Sequence, residues 1–277
     1  MTYALSRPRL LIGCGKMGGA MLDGWLKSGI VAGGVTVVDP VGGDAFKDRA
    51  GVTVVAGAND VPDDLNPEVI VLAVKPQQMD ALLADYRRFS GPDCLFLSIA
   101  AGKTISYFET HLGDQAAIIR AMPNTPAAIG QGITVACPNA IASDAQASMA
   151  EALLRAVGEA ATVQDEALID AVTALSGGGP AYTFLLMECM AKAGIAAGLP
   201  EDLSARLALV TVAGAGQLAL ASGDTPPSTL RENVTSPGGT TLEALKVLMR
   251  EEDGLGPLMV EAIAAATRRS KELGKTS

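Results

Sequence analysis

Residues 9–18, Arg9-Leu10-Leu11-Ile12-Gly13-Cys14-Gly15-Lys16-Met17-Gly18, join a short apolar run to an amphipathic stretch. The glycines fall in the order G-x-G-x-x-G, between an expected strand (Arg9–Ile12) and an expected helix (Met17–Ser28) that Gly29 ends. In that setting the first glycine permits the tight turn. The second lets the backbone approach a pyrophosphate, and the third lets helix and strand pack closely. The free N–H groups and positive dipole end of the helix then favour phosphate. The stretch therefore predicts a dinucleotide-binding unit.

Further along the first half, Val35–Asp39, Val52–Val55, Val69–Val74 and Cys94–Ile99 read as strands, with two more at Ala117–Ala121 and Ile133–Ala136. Alternation of strands with helical patterns implies right-handed crossovers and a parallel sheet covered on both faces. A helix at Asp144–Val157 and a short strand at Glu159–Val163 complete the unit. After Gln164 strand signals stop. Helices are expected at Glu166–Leu175, Pro180–Ala197, Pro200–Ser222, Thr229–Asn233, Thr240–Arg250 and Gly256–Glu272. Residues 1–163 and 164–277 are thus read as two domains, the second all-helical, rich in alanine and suited to burying itself against a partner chain.

Composition excludes several classes. The formal net charge of −9 and the low aromatic content (4%) suit neither nucleic acid nor an anionic membrane. Cys14, Cys94, Cys137 and Cys189 lie too far apart for a zinc pattern, and His111 is the only histidine, which leaves no His-rich metal site. Arg7 and Arg9 precede an apolar run of three residues, too short for a signal peptide. The uncharged, alanine-rich stretch Leu207 to Ser222 falls below the roughly 20 apolar residues of a bilayer span and reads as a buried helix at a subunit interface. A soluble cytoplasmic protein is expected.

Asp39 ends the second strand 24 residues after Gly15, where an acidic side chain accepts ribose hydroxyls and repels a 2′-phosphate. This leans the cofactor from NADPH towards NADH, although Asp39-Pro40 also reads as an ordinary turn. Ala73-Val74-Lys75-Pro76 ends the fourth strand, at the edge of an open α/β sheet where ligands bind, so Lys75 is placed near the cofactor; a surface lysine is the alternative. Asn59 is expected to cap a helix beside the adenosine, and the small residues Ala100-Ala101-Gly102 leave room for a nicotinamide ring. Two further segments, Arg120–Pro126 and Ser176–Tyr182, are stiffened by proline or opened by glycine. Thr235-Ser236-Pro237-Gly238-Gly239-Thr240-Thr241 has the chemistry of a carboxylate site at a helix start, and alone also that of a plain helix cap.

Taken together, Gly13–Gly18, Ala73–Gln77, Arg120–Pro126, Ser176–Tyr182 and Val234–Thr241 resemble the pyrroline-5-carboxylate reductase family over residues 10–273. The resemblance implies an α/β chain: an N-terminal Rossmann dinucleotide-binding domain followed by an all-helical C-terminal dimerisation domain that intertwines with its partner. Such dimers commonly assemble into decamers, and the site lies at the dimer interface, which lets two chains contribute to one pocket. It implies reduction of 1-pyrroline-5-carboxylate to L-proline by NADPH or NADH. Gly13, Cys14, Gly15, Lys16, Met17 and Gly18, with Asp39, Asn59, Ala73, Val74, Lys75, Pro76 and Ala101, would hold the dinucleotide. Ser236, Gly239 and Thr240 would hold the substrate carboxylate, Thr241 would bond the ring nitrogen as the catalytic group, and Asp224 matches an acidic position near the substrate.

Two positions depart from the family pattern. Gly178 stands where the second serine of Ser-Gly-Ser-Gly-Pro is common, and Asp39 stands where Ser, Thr or Asn is frequent. Two other classes fit part of the pattern. A 3-hydroxyacid dehydrogenase would need a lysine within Ser176–Met190, which has none, and a non-catalytic dinucleotide sensor has no use for the Val234–Thr241 segment.

Overall fold

The computed structural model describes residues 7–30 and 33–275. By internal contacts the chain separates into two compact units, residues 1–177 with 266–277, and residues 178–265.

The first unit is built on an eight-stranded sheet. Its strands are β1 (Arg9–Ile12), β2 (Val35–Val38), β3 (Val52–Val55), β4 (Val69–Leu72), β5 (Leu95–Ser98), β6 (Ala117–Met122), β7 (Gly132–Pro138) and β8 (Gly158–Thr162), in the spatial order β3-β2-β1-β4-β5-β6-β7-β8. The first six run parallel. Here β1 and β4 are buried along their whole length, as apolar strands covered on both faces must be. The strand order reverses between β1 and β4, which opens a crevice at their carboxyl ends.

The wholly parallel sheet expected from the alternating pattern needs one correction. Strand β7 runs antiparallel to β6, and β8 then runs parallel to β7. The β6–β7 connection is a short 3₁₀ turn, Thr125–Ile129, too short to carry the chain back for a parallel strand.

Helices α1 (Lys16–Ser28) and α4 (Asp144–Arg155) cover one face, where the buried Trp25 donates its indole N–H to Leu153 O at 2.8 Å. Helices α2 (Met79–Tyr86), α3 (Ile105–Leu112) and α5 (Leu168–Val172) cover the other. Neither α2 nor α3 is among the helices expected from sequence. The division between units falls at Gly177, after the expected boundary at 163, because α5 buries Ile169 in this second core and Glu166 is bonded to β6 and α3. A π-helical turn, Thr173–Gly177, ends the segment.

The second unit is helical: α6 (Gly179–Ala196), α7 (Glu201–Ala221), α8 (Pro227–Asn233), α9 (Thr240–Leu248) and the first part of α10 (Leu255–Lys275). Helices α6 and α7 pack together, and Ser204 Oγ donates to Ala191 O at 2.7 Å where the close approach leaves only Gly194 opposite. Helix α7 extends through the charged Arg206 to 21 residues and is, by length and composition, apolar enough to cross a membrane, contrary to the shorter count made on uncharged residues alone. Phe184, Leu185, Leu209, Val210, Leu218 and Leu220 are exposed within the single chain.

Candidate active site

The glycine-rich loop follows β1 as expected. Gly13 has φ +91°, a conformation side chains rarely adopt, and its N–H is held by Val38 O at 2.9 Å. A Cβ at Gly13 would lie 2.8 Å from Val74 Cγ1. One at Gly18 would lie 2.2 Å from Gly13 O and 3.2 Å from Ala73 Cβ. The third glycine therefore lets α1 press against the loop and against the end of β4. Gly15, the N-cap of α1, has open space where a Cβ would stand, and both Gly15 and Lys16 are exposed. Met17 packs against the core behind them. This cradle fits a pyrophosphate: backbone N–H groups at a helix start, no side chain in the way, and a lysine beside them.

Next to the loop lies a cleft of about 470 Å³ lined by Gly13, Asp39, Val41, Val74, Asp85 and their neighbours. Among the described residues no Lys or Arg lines it. The residues Ala81, Leu82 and Asp85 of α2, and Gln78 at its N-cap, were missed from sequence. Their signal was present in the apolar spacing Met79, Leu82, Leu83, Tyr86. Burial, with Asp85 adding to it, pushes the Tyr86 phenol up to about 12, so Tyr86 stays neutral in this wall.

Asp39 is half-buried and heavily bonded. Its Oδ2 accepts the Cys14 N–H at 2.6 Å, and its Oδ1 accepts those of Val41 at 2.8 Å and Gly42 at 2.5 Å. Desolvation alone would raise its pKa, but the donors of Cys14, Gly42 and Val41 outweigh it and hold the carboxyl below its usual range. Burial, reinforced by Asp39, pushes the Cys14 thiol up to about 11 and keeps it uncharged under the loop.

Other expected residues sit apart from the cleft. Asn59 is exposed on the 3₁₀ turn Ala58–Asp60 and does not cap it. Gly57 is the N-cap, its N–H taken by Asp60 Oδ2 at 3.0 Å, because Asn59 comes two positions too late. Lys75 is exposed as the N-cap of the turn Pro76–Gln78, at the carboxyl end of β4. Ala101 is exposed after β5 on the same edge of the sheet. Beyond it Lys103, unnoticed from sequence, is buried. Its Nζ lies 3.2 Å from Asp80 Oδ1 and 3.9 Å from the centre of the Tyr107 ring, while Tyr107 donates its hydroxyl to the same carboxylate. This brace joins the start of α2 to the loop carrying Ala101.

Two of the motif segments meet within the first unit. Asn124 Oδ1 accepts the Ile133 N–H at 2.9 Å, and its Nδ2 donates to Ser176 Oγ at 3.3 Å. Met122 presses on Gly177, where a Cβ would come within 2.6 Å of its Cε. Arg120 is buried, and its Nη1 donates to Glu166 Oε1 at 2.7 Å.

In the second unit, Ser236–Gly239 forms the lead-in to α9. Gly238 has φ +71°, Gly239 is the N-cap with no side chain to block the helix start, and the Ser236 hydroxyl stands 2.5 Å from where a Cβ on Gly239 would be. Ser236, Thr240 and Thr241 are exposed around this start. The arrangement offers hydroxyl donors and helix N–H groups to a small anion. Asp224 is exposed on the turn between α7 and α8. Gly178 is the N-cap of α6 and supplies no hydroxyl.

A pyrroline-5-carboxylate reductase from Pseudomonas aeruginosa is 40% identical over 98% of both chains. The chain belongs to the pyrroline-5-carboxylate reductase family. Residues 166–273 match the model for pyrroline-5-carboxylate reductase dimerisation, and residues 10–102 match that for NADP oxidoreductase, coenzyme F420-dependent. Among solved structures, the reductase of Coxiella burnetii superposes with a TM-score of 0.89 at 35% identity, covering 97% of this chain and 99% of that one. A Plasmodium falciparum pyrroline carboxylate reductase determined with NADP bound superposes with a TM-score of 0.79 at 27% identity, over 97% and 98%. The Rossmann-type first unit and helical second unit are the architecture of this family, and the second carries its self-association region.

Proposed function

We propose that this protein reduces 1-pyrroline-5-carboxylate to L-proline, with the nicotinamide dinucleotide held by the first unit and the substrate carboxylate by the second. Family membership supports the reaction. The observation that carries it is the head of α9, where Ser236, Gly239 and Thr240 surround an open helix start. A sensor that only bound the dinucleotide would not need this anion site.

Bound NAD(P)H supplies the hydride that the imine carbon accepts. The protein's part is orientation and charge. Ser236 and the N–H groups at Gly239–Thr240 hold the carboxylate, and Thr241 bonds the ring nitrogen, keeping its proton in place as the C=N bond is reduced. A protonated imine is already a good hydride acceptor, so the chemistry needs no strong base. Asp224 borders this substrate region in the same reading.

NADH is the preferred cofactor in this proposal. Asp39 and Asp85 line the cleft without a cation, and Val41, 77% exposed at its lip, offers a 2′-phosphate no charge. The exposed apolar faces of α6 and α7 support an intertwined dimer, and the resemblance extends this to a decamer. Buried in such a dimer, α7 would not face lipid. The free thiols of Cys14, Cys94, Cys137 and Cys189 suit a reducing cytoplasm.

The test is loss of absorbance at 340 nm with 1-pyrroline-5-carboxylate and NADH or NADPH in parallel. Turnover with both and a higher kcat/KM for NADH is expected, and no turnover by folded, oligomeric protein defeats the assignment. Thr241→Ala should lower kcat about tenfold, the worth of one lost hydrogen bond of about 1.4 kcal/mol in the transition state. The Kd for NADH should stay unchanged in the same variant, and unaltered turnover would remove Thr241 from the mechanism.

A further inference from the structure

We infer that Asp39 is a positioning residue for the phosphate loop, clamping Cys14 to the Val41–Gly42 turn so that the loop keeps its pyrophosphate-binding shape whether or not a ribose is present. The inference rests on the dinucleotide reading of the cleft and goes beyond the discriminating role given to Asp39 above.

An ionised carboxylate offers about four acceptor sites. In Asp39 three are filled from the protein's own backbone: one on Oδ2 by Cys14, and two on Oδ1 by Val41 and Gly42. At most one site, on Oδ2, is left for a ribose hydroxyl. The residue thus does most of its bonding to the loop that follows β1 and to the turn that follows β2.

Packing points the same way. A Cβ on Gly42 would lie 2.5 Å from Cys14 O and 3.0 Å from Asp39 Oδ2, so the turn presses directly on the loop. Gly13 N–H is held by Val38 O at 2.9 Å and Asp39 N–H by Val55 O at 3.1 Å, which ties both segments to the sheet. What the sheet does not hold is the Cys14 peptide, one residue before the exposed Gly15 at the start of α1. Its N–H goes to Asp39. No neutral side chain reproduces this pattern: an asparagine amide would turn its NH₂ towards Cys14 or towards Val41 and Gly42, donor against donor, and a serine hydroxyl cannot reach both segments.

Two roles for one carboxylate separate with a ligand that lacks the hydroxyls. The experiment is titration calorimetry of the full-length oligomer with ADP and with 2′,3′-dideoxyadenosine 5′-diphosphate, for wild type and Asp39→Asn. The clamp predicts that Asp39→Asn weakens both ligands by about tenfold or more, since charge-assisted hydrogen bonds are lost in each case. It also predicts that the variant raises the KM for NADH far more than it lowers kcat. Gly42→Ala, which leaves the carboxylate in place but pushes the turn off Cys14 O, should weaken both ligands in the same way. It guards against an Asp39 variant that merely folds poorly.

Equal affinity of wild type and Asp39→Asn for the dideoxy ligand, with a loss confined to ADP, would overturn the clamp and leave Asp39 a ribose reader only. Binding of ADP but not of the dideoxy ligand by wild type would overturn it too. If wild type binds neither ligand nor NADH, the dinucleotide reading itself fails and the clamp with it.

Discussion

Gly18→Ala should bind NADH about 100-fold more weakly than wild type, a loss of ~2.7 kcal/mol. The cause is steric. The new methyl carbon would sit 2.2 Å from Gly13 O and 3.2 Å from Ala73 Cβ, and neither the loop backbone nor the end of β4 is a flexible side chain that can swing aside. Relief requires α1 to move away from the loop, which takes the N–H groups of its first turn off the pyrophosphate; displacements of about 1 Å can cost 10²-fold in such sites. Gly15→Ala makes the contrast. Nothing stands within 4 Å of that position, so its unfolding midpoint should stay at the wild-type value while NADH binding falls, the methyl group now occupying the phosphate's approach. Calorimetric titration with NADH, alongside thermal unfolding of each variant, separates the two. Near-normal NADH binding by Gly18→Ala would mean that the close packing of α1 on the loop does not shape the site.

Glu166→Ala should lower stability by about 3 kcal/mol, the lower end of the range for removing one partner of a buried ion pair, because Glu166 keeps 28% of its side chain in water. Arg120 is only 5% exposed and would be left with its charge uncompensated inside the sheet layer. The same Glu166 oxygen accepts the Ile105 N–H at 2.8 Å, so the start of α3 would lose an acceptor as well. At ~2–4 °C per kcal/mol for a chain of this size, the unfolding midpoint should fall by roughly 6–12 °C. Arg120→Met combined with Glu166→Gln keeps the acceptor for Ile105 and removes both charges. It should recover most of the loss, since paired apolar or neutral replacements are often nearly neutral. A midpoint within 2 °C of wild type for Glu166→Ala alone would show that the pair contributes little.

These two expectations differ in how far sequence could foresee them. The glycine cradle was legible because its rules are local: a strand, a turn that demands positive φ at Gly13, and a helix beginning at a residue without a side chain. The short β-branched strands were legible for the same reason, and all eight appear within a residue or two of their expected bounds. The head of α9 announced itself by Ser236, Gly238, Gly239, Thr240 and Thr241, although a helix cap alone would have explained those residues. The partner of Glu166 had no local signature. It lies 46 residues away on β6, and neither helical nor strand periodicity relates the two. Asn59 was misplaced by the same limitation, since a shift of two positions along a turn decides which residue caps it.

By itself, the sequence determined the order of the strands, the glycine loop with its helix, the helical second half and the family, because each follows from residue types within a turn or a strand of one another. Only the tertiary structure decided that β7 runs antiparallel to β6, that α5 joins the first unit, and that Arg120 meets Glu166. It also decided that the Asp39 carboxylate turns inward to the Cys14 peptide as well as towards the cleft. Each of these depends on which distant segments the sheet brings side by side, and that is set by packing and strand register rather than by any residue's own conformational preference.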